Sequence, residues 1–119
     1  MLNLNWIKCT NNQWCDFLNL DLDHSHFDNL EGVYIIWHGG VNPWVVRVGQ
    51  GIIGDRLKNH REDTKILKYK NLRLYVIWAR INNSKQRDGI EKYLAEKWQP
   101  MVGTKFPDVL PIIVNSPWE

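Results

Sequence analysis

The sequence predicts an α+β domain with a central three-stranded antiparallel sheet flanked by helices, and three observations predict it. Two apolar runs, 32–38 (GVYIIWH) and 43–50 (PWVVRVGQ), are joined by a glycine- and proline-containing turn, the pattern of a hairpin. A third alternating run, 72–80 (LRLYVIWAR), comes after a charged helical stretch, 55–63 (DRLKNHRED). A second helical pattern, 85–98, follows Asn82, Asn83 and Ser84, residues that cap helices.

Taken in order, residues 1–31 place Trp14, Phe17, Leu18 and Leu20 at spacings expected of a short amphipathic helix against the core. Residues 21–29 then read as a polar connector. His24 and His26 stand there beside Asp23 and Asp28, residue types that bind metals. No further ligand sits at a recognisable spacing, so solvent-facing loop histidines are the simpler reading.

In the first strand Tyr34 and Ile36 share one face, and Val33, Ile35 and Trp37 the other. In the second, Trp44, Val46 and Val48 alternate with Val45, Arg47 and Gly49. Apolar character on both faces implies a central position. Gly49, Gly51 and Gly54 match no phosphate-loop spacing and read as turn-makers before a helix that starts near Gly54 or Asp55. That helix carries Arg56 and His60 one turn apart on the same side, with Leu57 turned to the sheet.

Residues 62–70 continue as a basic, helical connector. The strand 72–80 sets Leu74, Val76 and Trp78 against Arg73, Tyr75, Ile77 and Ala79. Along 85–98, Ile90, Tyr93, Leu94, Lys97 and Trp98 form a stripe at helical spacing. Pro100 stops the helix, and Pro107, Pro111 and Pro117 suit an extended strap over 101–119.

The length of 119 residues, 44% of them hydrophobic and seven of them Trp, supports one domain, 1–119, with a real core. Cys9 and Cys15 are too few for a disulfide framework and lack zinc-site partners, so plain thiols in a reducing compartment are expected. No apolar run approaches the ~20 residues that span a bilayer, and the first residues lack a basic start before an apolar stretch. A soluble, cytoplasmic protein without membrane contact is the expectation.

Charge is unevenly distributed. Residues 1–31 hold Lys8 against five acids, a net of −4, and 32–119 hold fourteen Lys and Arg against eight acids, a net of +6. A basic body with an acidic lead-in suits a nucleic-acid partner, since cation contacts dominate phosphate binding. A solvated, mildly basic surface gives the same balance.

The order GVY, then RVG after a short hairpin, then Arg56 and His60 on a helix, then Glu91 nine residues before Pro100 resembles the GIY-YIG nuclease domain. The resemblance runs over about residues 32–103. It implies that Gly32, Val33 and Tyr34 form the first signature triplet, with Tyr34 a candidate base or base-orienting phenol. Arg47, Val48 and Gly49 stand for the second triplet, where the family usually begins with tyrosine. Arg56 matches the arginine that contacts the scissile phosphate, and His60 a position often filled by histidine. Glu91 matches the single carboxylate that holds the divalent metal, Mg2+ or Mn2+. Gly103 falls where the family often has asparagine.

On that resemblance the expected function is a divalent-metal-dependent endonuclease acting on nucleic acid, DNA rather than RNA. Lys58, Arg61 and Lys65 are expected as backbone contacts, with a homodimer or an accessory protein supplying specificity. Because Arg47 replaces a phenol, an inactive nucleic-acid-binding module is the alternative. A protein-interaction domain using exposed tryptophans is a third class, with no motif behind it.

The residues themselves support such chemistry. A guanidinium grips two phosphate oxygens at any working pH. Magnesium held by one carboxylate binds weakly until substrate adds its oxygens. Tyr34 is a poor base at a reference pKa of ~10, so Arg47, Arg56 or a metal must favour its phenolate, or it only orients water, a task His60 can share. Each residue also has an ordinary structural role: a strand tyrosine with its ring in the core, a solvated helix face, a Glu91 paired on its own helix with Arg87 or Lys92. The nuclease reading requires Tyr34, Arg47, Arg56, His60 and Glu91 to converge on one cationic surface.

Overall fold

In the computed structural model, which describes residues 1–118, the sheet has four antiparallel strands: β1 (Cys15–Asp16), β2 (Glu31–His38), β3 (Trp44–Ile52) and β4 (Leu74–Arg80). Their order is β1-β4-β2-β3. Three α-helices accompany them: α1 (Ile53–His60), α2 (Thr64–Leu67) and α3 (Ser84–Trp98). The α+β class holds, and the expected strand count of three is corrected to four. β1 escaped notice because two residues have no readable periodicity. It pairs Cys15 with Val76 and Asp16 with Tyr75 along the free side of β4.

The helix expected from Trp14, Phe17, Leu18 and Leu20 does not form. Cys15 and Phe17 are buried while Trp14 and Leu18 are exposed, the period of two that a strand imposes. The Phe17 amide continues the pairing by donating to Leu74 O at 2.9 Å.

The free-thiol expectation is also corrected, because Cys9 and Cys15 are joined by a disulfide. Between them a 3-10 turn, Thr10–Asn12, with Asn11 and Asn12 at positive φ, folds the chain back so that the two Cα atoms lie 5.1 Å apart. Asparagine tolerates that backbone conformation. The cysteines therefore carry no argument for a reducing compartment.

β2 lies between β4 and β3, and residues 32–38 are all buried, which accounts for its unbroken apolar run. One core layer gathers Tyr34, Ile36, Val46, Val76 and Trp78 with Leu57 of α1 and Phe17, Leu22, Phe27 and Leu30 of the N-terminal segment. The opposite layer gathers Val33, Ile35, Val48, Ile77 and Ala79 with Ile90 and Leu94 of α3 and with Val114. Fully burying such side chains is worth ~1.5–3 kcal/mol each. That outweighs the ~1 kcal/mol cost of Gly89 inside α3, which lets the tail pass close enough for Ile112 N to donate to Gly89 O at 2.9 Å.

The alternation read in β3 breaks at a bulge. Ile36 pairs with Arg47, but Trp37 pairs with Val45, so Val46 is the additional residue. As a result Val45 joins Val48 in one layer while Val46 joins Tyr34 and Ile36 in the other. A bulge of this kind re-aims the side chain that follows it, here Arg47.

Element ends differ modestly from expectation. β3 extends to Ile52, so Gly49 and Gly51 lie within the strand, and α1 follows at once with Ile53. β4 starts at Leu74 rather than at residue 72, because a 3-10 turn, Lys70–Leu72, and Arg73 at φ 65° precede it. Within the stripe of α3, Lys97 is exposed and lies over the rings of Tyr93 and Trp98. Asn83 Oδ1 accepts from the Gln86 amide at 2.9 Å and caps α3. His24 Nδ1 accepts from the His26 amide, and His26 Nε2 accepts from Trp78 Nε1 at 3.1 Å, so both rings are engaged within the chain. Among the described residues no helix is long and apolar enough to cross a membrane.

Candidate active site

The cleft of interest opens at β3, between α1 on one side of the sheet and α3 on the other. It has a volume of about 310 Å3 and is lined by Tyr34, Arg47, Gln50, Arg56, Arg87 and Glu91 with the backbone of Gly49 and Gly51. Four of the five residues expected to converge therefore line one cleft. The fifth, His60, lies behind Tyr34, its Nε2 hydrogen-bonded to the Tyr34 hydroxyl at 2.5 Å.

The local sequence explains the placement. Tyr34 pairs across the strands with Gly49, and a Cβ on residue 49 would lie 2.2 Å from the Tyr34 hydroxyl and 2.5 Å from Cζ. The missing side chain is what admits the ring. Gly103 does the same for Arg47, and Gly51, at φ +126°, for the side chain of Arg56. Gly49 and Gly51, read in the sequence as turn-makers, lie within β3 and, like Gly103 in the tail, cradle polar side chains.

Burial dominates the electrostatics. Tyr34 is almost fully buried, and loss of water raises its phenol to about 12 even though Arg47 and Arg56 act to lower it. Of the two alternatives, a phenolate favoured by nearby cations or a phenol that only orients water, burial favours the second, because the attraction of Arg47 and Arg56 is smaller than the desolvation cost. His60 falls to about 4, first from burial and then from the Arg47 charge. At neutral pH the pair is thus a neutral phenol against a neutral imidazole.

Glu91 is a buried carboxyl whose pKa is raised, chiefly by desolvation, while the Gln50 amide and Arg47 pull it down. Its ordinary structural role, pairing with Lys92 on the same helix, is not taken up; Lys92 instead lies 3.6 Å from Glu96. Arg47 keeps a buried Nε with no hydrogen-bond partner. The residue also lines the cleft, where a planar guanidinium suits an anion.

Three residues of the site were missed in the sequence. Gln50 donates to Asp88 Oδ1 and accepts from Arg87 Nε at 3.1 Å. Arg87 also donates through Nη1 to the carbonyls of Ile81 and Asn82, at 3.0 and 3.1 Å, which fixes the start of α3 against the end of β4. A signal existed, since Arg87, Asp88 and Glu91 lie three and four apart on one helix face. The partner strand that holds them could not be read from that spacing.

The cations expected to contact nucleic acid lie elsewhere. Lys58 pairs with Asp23 at 2.7 Å, and Arg61 donates to the carbonyls of Phe17 and Leu20, tying α1 to the N-terminal segment. Lys65 is exposed on α2, and none of the three lines the cleft.

A divalent ion fits this donor set only in one form. Among the described residues no group of three or more His, Cys, Asp and Glu stands ready to cage a metal. Glu91 alone faces the cleft, among three arginines. That suits Mg2+ or Mn2+ that keeps most of its waters and arrives with phosphate oxygens, not a permanently held ion. No family model, no curated protein and no solved structure matches this chain.

Proposed function

We propose that this chain is a divalent-metal-dependent endonuclease similar to the GIY-YIG nucleases, with its site in the Tyr34–Arg47–Arg56–Glu91 cleft. The observation that carries the reading is the convergence of three arginines from three different elements with a single buried carboxylate and a phenol. Three guanidinium groups match a phosphodiester and its developing charge. Arg47 and Arg56 grip the phosphate, and Arg87 adds positive field from α3.

Tyr34 and His60 act as one unit. The neutral imidazole accepts the phenol proton and leaves the hydroxyl oxygen lone pairs to orient an attacking water. At neutral pH the phenol keeps its proton and the imidazole takes up no second one, given values of about 12 and about 4. Glu91 would hold the ion, and bound magnesium supplies charge neutralisation at the phosphate and the leaving oxygen. The expected partner is nucleic acid, DNA rather than RNA, with a homodimer or an accessory protein choosing the target.

Arg47 itself favours a second reading, a module that binds nucleic acid without cutting it. An added cation and a lost phenol strengthen phosphate binding and remove a proton-handling group. The deciding experiment is Mg2+- or Mn2+-dependent cleavage of single-stranded, duplex and branched DNA and RNA by the natural protein and by Glu91→Gln. Cleavage lost by about a hundredfold or more in the variant, with binding retained, supports the nuclease. Binding that weakens with salt, without cleavage by either protein, establishes the binding module.

A further inference from the structure

Five of the seven tryptophans gather where β3 begins and α3 ends. Trp14, Trp37, Trp118, Trp98 and Trp44 form an unbroken chain of edge-to-face contacts, with centroids 5.3, 5.3, 5.0 and 6.3 Å apart in that order. With Pro43 they line a cavity of about 400 Å3. Trp44 and Trp14, the two ends of the chain, are 45% and 38% exposed. A core cluster closes over its rings, whereas this wall of π-faces is open at both ends.

Charge and position select the occupant. Lys8 Nζ lies 4.5 Å above Trp14, Lys97 Nζ lies 5.4 Å from the centre of Trp98, and among the described residues the cavity lining carries no carboxylate. These two ammonium groups favour an anionic partner. Trp44 stands three residues before Arg47 on β3, and Trp98 stands seven residues, two helical turns, after Glu91 on α3. Because Val46 bulges from the register, Trp44 and Arg47 pair with His38 and Ile36. The strand spacing is therefore about 7 Å and the helix spacing about 10 Å, or roughly two to three nucleotides of stacked strand at ~3.4 Å each. The two elements that build the arginine cleft thus continue into the aromatic cavity.

We propose that the tryptophan cavity is a stacking site for an unpaired nucleobase of the strand whose phosphate enters the arginine cleft. The inference rests on the nucleic-acid reading above and adds a preference within it, for substrates with a single-stranded segment. Aromatic faces without a directing hydrogen-bond donor stack any base, so sequence preference is weak. A proline-rich peptide also docks on aromatic grooves, but it offers nothing to the arginines that lie along the same strand and helix.

The test is equilibrium binding, with tryptophan emission followed, of the full chain to four probes. These are a 12-nucleotide single strand, the same strand made abasic, a blunt duplex and a proline-rich peptide. Stacking of ~1–3 kcal/mol per base corresponds to about 5- to 150-fold in affinity. The intact strand should therefore bind at least fivefold tighter than the abasic one and quench emission. Trp44→Ala and Trp44→Leu, the latter keeping the apolar bulk, should both lose that preference and keep the abasic affinity. Equal affinity for intact and abasic strands overturns the stacking site and leaves the arginine cleft standing. Quenching by the peptide and not by the strand also overturns it. Absence of binding to any nucleic acid at low salt removes both readings together.

Discussion

The Arg47 guanidinium occupies the space a side chain at Gly103 would need: a Cβ there would stand 2.5 Å from Nη1 and 3.1 Å from Cζ. Under the proposed nuclease reading these are the two positions at which the sequence departs from the GIY-YIG pattern. The guanidinium of Arg47 needs room, and the glycine supplies it. Gly103 also sits at φ +97°, where a Cβ is strained whatever surrounds it. Gly103→Ala should cost ~1–2 kcal/mol of stability in urea unfolding and weaken binding of a phosphate-bearing strand by displacing Arg47. Unchanged stability and affinity together would show that the contact is incidental.

His60 provides a pH signature with a definite sign. Its folded-state pKa is about 4 against 6.5 in the unfolded chain, so the unfolded state binds the proton first. Its contribution to stability is complete above about pH 6.5 and is lost as pH falls toward 4. The loss is bounded at about 3 kcal/mol from 1.36 kcal/mol per unit, less what water around the partly exposed ring removes. Glu91, raised in the folded state, acts oppositely, since acidification relieves its burial. Subtraction of His60→Gln from the natural protein cancels that second effect. The difference in unfolding free energy should shrink between pH 6.5 and 4, and the ring protons of His60 should titrate near 4 by NMR. In Arg47→Ala, which removes a neighbouring charge, that midpoint should rise.

Much of this arrangement is legible in the sequence. Alternation in 32–38 and 72–80 places the buried apolar side chains of β2 and β4 on their correct faces, because an unbroken strand obeys a period of two. The same rule failed in β3, where an inserted Val46 shifts the phase, and a bulge leaves no mark in composition. The disulfide was missed because six residues of separation say nothing about a left-handed Asn11–Asn12 turn. Tyr34, Arg47, Arg56 and Glu91 were found through their order along the chain. The Gln50–Asp88–Arg87 network was not, since it joins a strand to a helix across 37 and 38 residues. Glycine cradles were equally hidden, as the sequence shows that a side chain is absent but not what fills its place.

Gly49 offers the sharpest steric test. A methyl group there would fall 2.2 Å from the Tyr34 hydroxyl, 2.5 Å from Cζ and 3.0 Å from Cε1. A ring with 2% exposure cannot swing aside, so Gly49→Ala should destabilise by ~1–3 kcal/mol through overpacking. It should also break the Tyr34–His60 hydrogen bond, so that the His60 midpoint rises toward its ordinary value. A folded Gly49→Ala protein with an unshifted His60 would falsify the cradle.

The Cys9–Cys15 link should matter to stability and not to the cleft. It closes a loop with a sequence separation of 6, for which chain entropy gives about 2 kcal/mol, and Cys15 is buried on the strand farthest from β3. Reduction should lower the unfolding free energy by that amount while strand affinity stays constant. Alkylation of the native, unreduced protein should add no mass. Ready alkylation without reductant would show free thiols and remove the staple.

Gln50 should set the acid limit of any metal-dependent cleavage. Its amide lowers the pKa of Glu91 against the pull of burial, and the same side chain bonds Asp88 and Arg87. Gln50→Leu keeps the volume and removes these bonds, leaving Glu91 more reluctant to ionise. A metal ion competes with the proton for that carboxylate. The acidic limb of the rate profile should therefore move to higher pH, and the magnesium concentration for half-maximal rate should rise at fixed pH. Well above the shifted limb the rate should largely recover, because the arginines that hold the phosphate on β3 and α1 are untouched. A uniform loss at every pH would mean that Gln50 acts by anchoring α3 to the sheet rather than by tuning the carboxylate. A profile identical to that of the natural protein would mean that Glu91 is not the group whose ionisation limits the reaction.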